Sequence, residues 1–196
     1  MPFFVSISAP HSSENAAGED GIQEEIALAK ISGILESMKP TVYIETSVIS
    51  YLTSRPSRDL FAASRQARTI EWWERHAPSY ALYISDAVID EVSDGDVNAA
   101  KLRLELIAGI PVLEVTEEAI VFSGHLARTS GIPPKATIDA LHVAVAALNG
   151  MEHLLTWNCK HLANVNIRRR VKMVVEDAGF SCPDICTPEE LLESQP

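Results

Sequence analysis

The chain reads as an α/β protein of three layers, in which a mainly parallel sheet of four to five strands is covered by helices on both faces. Three observations predict this. Short runs rich in β-branched and aromatic residues, such as Thr41-Val42-Tyr43-Ile44, alternate with longer stretches of helical spacing. The stretches between successive strands are long enough to be crossover helices, and strands joined that way lie parallel. Residues 136–149 are apolar almost all round a helix, which marks a buried one.

The elements follow in order. Residues 41–45 form the first strand, ending on the carboxylate of Glu45, and Thr46-Ser47 then cap a short helix running to Thr53. Ser57-Arg58-Asp59 open a long helix reaching about His76, with Phe61, Ile70, Trp72 and Trp73 available for packing. Residues 81–84 are the second strand, and Ser85 caps a helix carrying Val88, Ile89 and Val92. Asp96 starts a helix that Gly109 ends. Residues 111–115 are a short third strand, and Thr116-Glu117-Glu118 give the next helix a cap and an acidic first turn. Gly131 and Pro133-Pro134 break the chain before the buried helix 136–149. Residues 153–156 are the fourth strand, followed by a helix around 164–178 and an edge strand within 180–186. Thr187-Pro188-Glu189-Glu190 begin the final helix.

The first 37 residues stand apart. Glu14, Glu19, Asp20, Glu24, Glu25 and Glu36 face only Lys30, so this segment supplies a net −5 of the total −11. Residues 10–18 read as disordered, and residues 22–36 fit one amphipathic helix with Ile22, Ile26, Ala29 and Gly33 along a face. Two readings stay open: a docking helix or tether, or an extended gene start with the biological start at Met38. Either way, residues 38–196 are the expected domain.

At 196 residues and 46% hydrophobic content, the chain has material for one full core. No apolar stretch is long enough to span a bilayer, and no basic residue precedes Phe3-Phe4-Val5 as a secretory signal requires. Three cysteines without a Cys-x-x-Cys pair speak against a disulfide scaffold or a zinc motif and suit a reducing cytoplasm. Net charge −11 argues against an extended basic grip on nucleic acid. It leaves room for a metal-dependent nuclease, whose acidic site is neutralised by cations.

Glu45 closes a buried strand, and the carboxyl edge of an open α/β sheet is where ligands bind. Asp139 lies in the apolar helix, where the conspicuous polar side chains are Asp139 and His142, three apart and so on one face. A buried carboxylate needs a partner or a metal; the bland alternative for Asp139 is a cap or a salt bridge near the helix start. Glu91 follows the second strand among several acids, and Asn158 follows the fourth. These positions suggest an acidic pocket assembled from distant segments, and such a pocket needs a cation.

Taken together, Tyr43-Ile44-Glu45-Thr46-Ser47, Ser85 through Glu91, Asp139-Ala140-Leu141-His142-Val143-Ala144 and Leu154-Leu155-Thr156-Trp157-Asn158 resemble the PIN domain, the metal-dependent ribonuclease fold of VapC-like toxins. The resemblance implies a catalytic set of Glu45, Glu91, Asp139 and Asn158, the first three holding one or two Mg²⁺ or Mn²⁺ ions. The family's first acid is usually Asp and its fourth position is often Asp, so Glu45 and Asn158 depart from it. Thr46 or Ser47 would orient a ligand or water, and His142 is either a neighbour of the metal ligands or a satisfied core histidine. Arg55, Arg58 and Lys160 are candidate RNA contacts, with His161 beside them. Arg168-Arg169-Arg170 and Lys172 either contact phosphate or form a solvated helix face.

The implied activity is hydrolysis of an RNA phosphodiester by metal-activated water, in the toxin of a type II toxin–antitoxin pair. The implied partners are an RNA substrate, a small antitoxin protein and a second copy in a homodimer. The alternative is a non-catalytic PIN-fold module that binds RNA or protein. A magnesium phosphohydrolase of another α/β class would want Asp-x-Asp after the first strand, which Glu45-Thr46-Ser47 does not supply. Trp72-Trp73 read as core or dimer contacts, and Cys159 as a small buried hydrophobe.

Overall fold

The computed structural model describes residues 38–133 and 136–193. The expectations for residues 1–37, and the Pro134 half of the predicted chain break, lie outside the described residues.

The strands are β1 (Thr41–Ile44), β2 (Ala81–Ser85), β3 (Val112–Leu113), β4 (His153–Leu155) and β5 (Asp184–Cys186). Between them come α1 (Thr46–Thr53), α2 (Leu60–Arg75), α3 (Asp86–Ser93), α4 (Val97–Ile107), α5 (Glu117–Thr129), α6 (Thr137–Leu148) and α7 (Val165–Asp177), with α8 (Pro188–Glu193) last. A 3₁₀ turn, Ala77–Ser79, links α2 to β2 and was not expected from the sequence. The five strands run in the order β3-β2-β1-β4-β5, and every neighbouring pair is parallel. Helices α1, α2 and α8 pack among themselves, as do α5, α6 and α7, giving helical layers around the sheet.

This order creates the site. The chain moves from β1 out to β2 and β3, then jumps back to lay β4 on the other side of β1. The direction reverses between β1 and β4, and the crevice at the carboxyl ends of such strands is the natural ligand position of a doubly wound sheet. Register places Ile44 beside Leu155, so Glu45 and Thr156 emerge side by side at that crevice.

The core fills as the hydrophobic pattern dictates. Val42, Tyr43, Ile44, Leu154 and Leu155 of the central strands are fully buried, against Val48, Ile49, Trp72, Val88, Leu126 and Val143 from the helices. Helix α6 is buried along nearly its whole length, including Asp139 and His142. Trp72 belongs to this core, with Trp73 packed against it. Cys159 departs from expectation: it is exposed, because it lies on the turn after β4 rather than in an element.

The caps divide into two groups. Asp59, Asp96, Thr116 and Asn164 accept hydrogen bonds from backbone N–H groups of their helices, as sequence pattern predicts. Thr187 and Glu190 form a reciprocal capping box at α8. Ser85, Thr46 and Ser47 were expected to cap and do not. Glu45 occupies the N-cap position of α1, so β1 ends one residue sooner than predicted, and neither Glu45 nor Ser85 makes a side-chain cap bond. The hydroxyls of Thr46, Ser47 and Ser85 are drawn instead to side chains of the crevice.

Candidate metal centre

Glu45 is only 6% exposed, and its Oε2 accepts hydrogen bonds from the hydroxyls of Ser47 and, at 2.7 Å, Thr156. Ser47 in turn accepts the Trp157 N–H at 2.8 Å, and Thr156 Oγ1 accepts the Asn158 N–H at 2.9 Å. The turn after β4 is thereby tied to the first turn of α1, and Glu45 is held between them.

Glu91 comes from α3. Its Oε2 accepts from Thr46 Oγ1 at 2.6 Å and meets His142 Nε2 at 2.9 Å. His142, wholly buried on α6, contacts the Tyr43 hydroxyl through Nδ1 at 2.7 Å, and that hydroxyl lies 2.6 Å from Ser85 Oγ. A carboxylate can only accept, so Nε2 carries a proton and donates to Glu91. Burial alone would lower the His142 pKa; the hydrogen bond to Glu91 and the negative charges of Glu45, Glu91 and Asp139 outweigh it and raise it. Burial likewise pushes the Glu91 carboxyl up, but the hydrogen bond and charge of His142 with the Thr46 hydroxyl hold it below the usual carboxylate range. Burial pushes the Tyr43 phenol far above its ordinary value, so it stays a neutral hydrogen-bond relay.

Donor atoms of Glu45, Glu91 and His142 all lie within 4.8 Å of one another. Asp139 is not in that tight group. It is 6% exposed, and its two oxygens are occupied separately: Oδ1 accepts from Asn158 Nδ2 at 3.0 Å, and Oδ2 lies 2.6 Å from His161 Nδ1. Asn158 Oδ1 also accepts the His161 N–H at 3.2 Å, closing a small network over Asp139. The structure therefore brings Glu45, Glu91, Asp139, Asn158, Thr46, Ser47 and His142 to one crevice, in two linked clusters.

The basic candidates sit differently. Arg55, Arg58 and Lys160 are exposed, and none of them bonds to the carboxylates. Arg168 pairs through both terminal nitrogens with Glu190, at 2.9 and 2.8 Å, while Arg169 and Arg170 are exposed. Arg65 lies over the Trp157 ring, 5.3 Å from its centroid.

Sequence reasoning passed over Tyr43 and Thr156. Tyr43 has the parity of Glu45, so period-two alternation placed it toward the same side of the sheet. Thr156 was legible only once Glu45 was known to lie beside the end of β4.

The arrangement fits a divalent cation. Two carboxylates lie close together, one of them buried with hydroxyls as its hydrogen-bond partners. Like charges so placed require either a proton or a cation between them. Carboxylate oxygens are the donors that hard divalent cations take.

A family model of the PIN domain matches residues 42–160 of the chain. No curated protein matches it in sequence. Among solved structures, Mycobacterium tuberculosis VapC20, a sarcin-ricin loop cleaving toxin, is 17% identical over 58% of this chain and 86% of its own, with a TM-score of 0.45. VapBC2 from Rickettsia felis, bound to a DNA fragment from their promoter, is 14% identical over 75% of this chain and 98% of its own, with a TM-score of 0.47.

Proposed function

The chain belongs to the PIN domain family, and from that premise we propose that it is a divalent-metal-dependent endoribonuclease, the toxin of a type II toxin–antitoxin pair. The observation that carries the reading is the Glu45–Glu91 pair, two carboxylates held close together at the switch point of the sheet. Glu45 and Glu91 would hold Mg²⁺ or Mn²⁺, with Asp139 as the third acid of the crevice. A bound cation there would supply charge stabilisation to phosphate oxygens and acidity to water.

The chain's own groups do the positioning. Ser47 and Thr156 fix the Glu45 carboxylate, and Thr46 and His142 fix that of Glu91. The Tyr43–Ser85 pair holds the His142 ring through Nδ1. Asn158 and His161 orient Asp139, and Asn158 brings no charge where the family often has an acid. Arg55, Arg58 and Lys160 lie exposed, available to RNA phosphates.

A small antitoxin, a homodimer and a cytoplasmic location belong to the same proposal. Support for partners comes from exposed apolar side chains, among them Leu60, Phe61, Val97, Leu102 and Val121. Among the described residues no helix is long and apolar enough to cross a membrane.

Cleavage of a mixed RNA pool by the purified full chain, with Mg²⁺ or Mn²⁺ beside EDTA, tests the activity. The expected result is metal-dependent cutting that falls about 10²-fold or more in Asp139→Asn. No cutting by folded, antitoxin-free protein with either metal would favour the non-catalytic RNA- or protein-binding module.

A further inference from the structure

At the edge of the sheet, β4 and β5 pair with His153 opposite Asp184 and Leu155 opposite Cys186. Opposed residues of a parallel pair share a face, as do residues two apart on one strand, so His153, Asp184 and Cys186 converge on one side. Donor atoms of all three lie within 4.8 Å of one another. His153 Nδ1 is a buried nitrogen without a hydrogen-bond partner. It stands 3.9 Å from Asp184 Oδ2, beyond hydrogen-bond reach. A buried polar atom in a native protein normally has a partner, and this one stands beside the Asp184 carboxylate, on an imidazole grouped with the Cys186 thiol.

We propose that His153, Asp184 and Cys186 form a second cation site, selective for a borderline transition-metal ion of the Zn²⁺ class. The donor set decides the class. Imidazole nitrogen with thiolate sulfur suits Zn²⁺ and its neighbours, whereas Mg²⁺ takes oxygen ligands. Metal–ligand distances of about 2.0–2.3 Å need only a small closing of the three donors. On binding, the Cys186 S–H bond breaks, its proton passes to solvent and the freed sulfur lone pair coordinates the metal. Asp184, whose side chain is 73% exposed, leaves an open side for ion entry and for a water as fourth ligand. Burial, with the charges of Asp184 and Glu190, pushes the Cys186 thiol up to about 12 against the opposing pull of Arg168. Affinity accordingly rises with pH, since metal and proton compete for the sulfur.

The site would staple β5 to β4, just before the Thr187–Glu190 capping box of α8. It shares no residue with the acidic crevice and does not rest on the nuclease reading. Its ligands come from paired strands rather than a Cys-x-x-Cys run, so no sequence motif announces it.

The test uses the full chain, stripped with EDTA and titrated with Co²⁺ while absorbance is recorded. One equivalent should produce a thiolate-to-cobalt charge-transfer band, which Zn²⁺ then bleaches by displacement. The band should persist in Glu91→Gln and Cys159→Ser and vanish in Cys186→Ser. Should Cys186→Ser not fold, His153→Gln, at a partly exposed position, should weaken the band. Absence of the band in the wild-type protein, or its survival unchanged in Cys186→Ser or His153→Gln, overturns the proposal.

Discussion

His142 shows how much one buried side chain organises here. It lies in the field of the Glu45, Glu91 and Asp139 carboxylates, bonds Glu91 through Nε2 and touches Tyr43 on its other nitrogen. Its pKa is raised, so its contribution to stability is full below the ordinary imidazole value of 6.5 and is lost as pH climbs through the raised value. Glu91 is shifted the other way. Its contribution is present above the ordinary carboxylate value of 4.5 and is lost as pH falls through the lowered value. In metal-stripped protein, urea midpoints should therefore be greatest between about 4.5 and 6.5 and fall on both sides. His142→Gln should flatten the alkaline fall, because glutamine has no proton to lose. An alkaline fall unchanged in that variant would remove His142 from this role. The sequence showed Asp139 and His142 on one helix face; that His142 serves Glu91 rather than Asp139 depends on how α3 packs against α6 and was not legible.

At the scale of elements, the turn from Thr156 to His161 couples the sheet edge to two helices. Trp157, between Thr156 and Asn158, donates its indole N–H to the buried Thr69 of α2 at 2.8 Å, while its backbone N–H reaches Ser47 of α1. Thr69→Val keeps the volume but orphans that indole, at a cost of about 1–3 kcal/mol measured by urea unfolding. RNA cleavage should fall as well, because Asn158 and Asp139 lose their fixed support. The helices and strands themselves were legible from period and caps, within a residue or two at most ends. The exceptions have physical causes. The third strand pairs over only Val112–Leu113, because it is an edge strand held by one neighbour. Ser85, Thr46 and Ser47 look like caps in sequence, yet the buried Glu45 carboxylate, the half-buried Glu91 carboxylate and the buried Tyr43 phenol compete for their hydroxyls and win. A cap residue that does not cap is thus a trace of the site, visible only after folding.

At the scale of the molecule, the described hydrophobic core runs from Val42 to Leu191 and is contiguous. A protein starting at Met38 is predicted to unfold cooperatively with a thermal midpoint close to that of the full chain and to match the full chain in the RNA-cleavage assay. A large drop in midpoint would make residues 1–37 part of the domain. The fold class was legible because strand–helix alternation leaves few topologies, and right-handed crossovers leave fewer. The strand order, which puts the crevice between β1 and β4, was not, since nothing local in the sequence states on which side of β1 the fourth strand lies.

On the proposed reading, Glu45 and Glu91 are held together for a cation. Titration of the metal-stripped chain with Mn²⁺, followed by the loss of the free-ion electron paramagnetic resonance signal, tests it directly. Saturable Mn²⁺ binding is expected, lost or weakened at least about tenfold in folded Glu91→Gln. Mn²⁺ binding of equal strength in wild type and Glu91→Gln, or none in either, would contradict it.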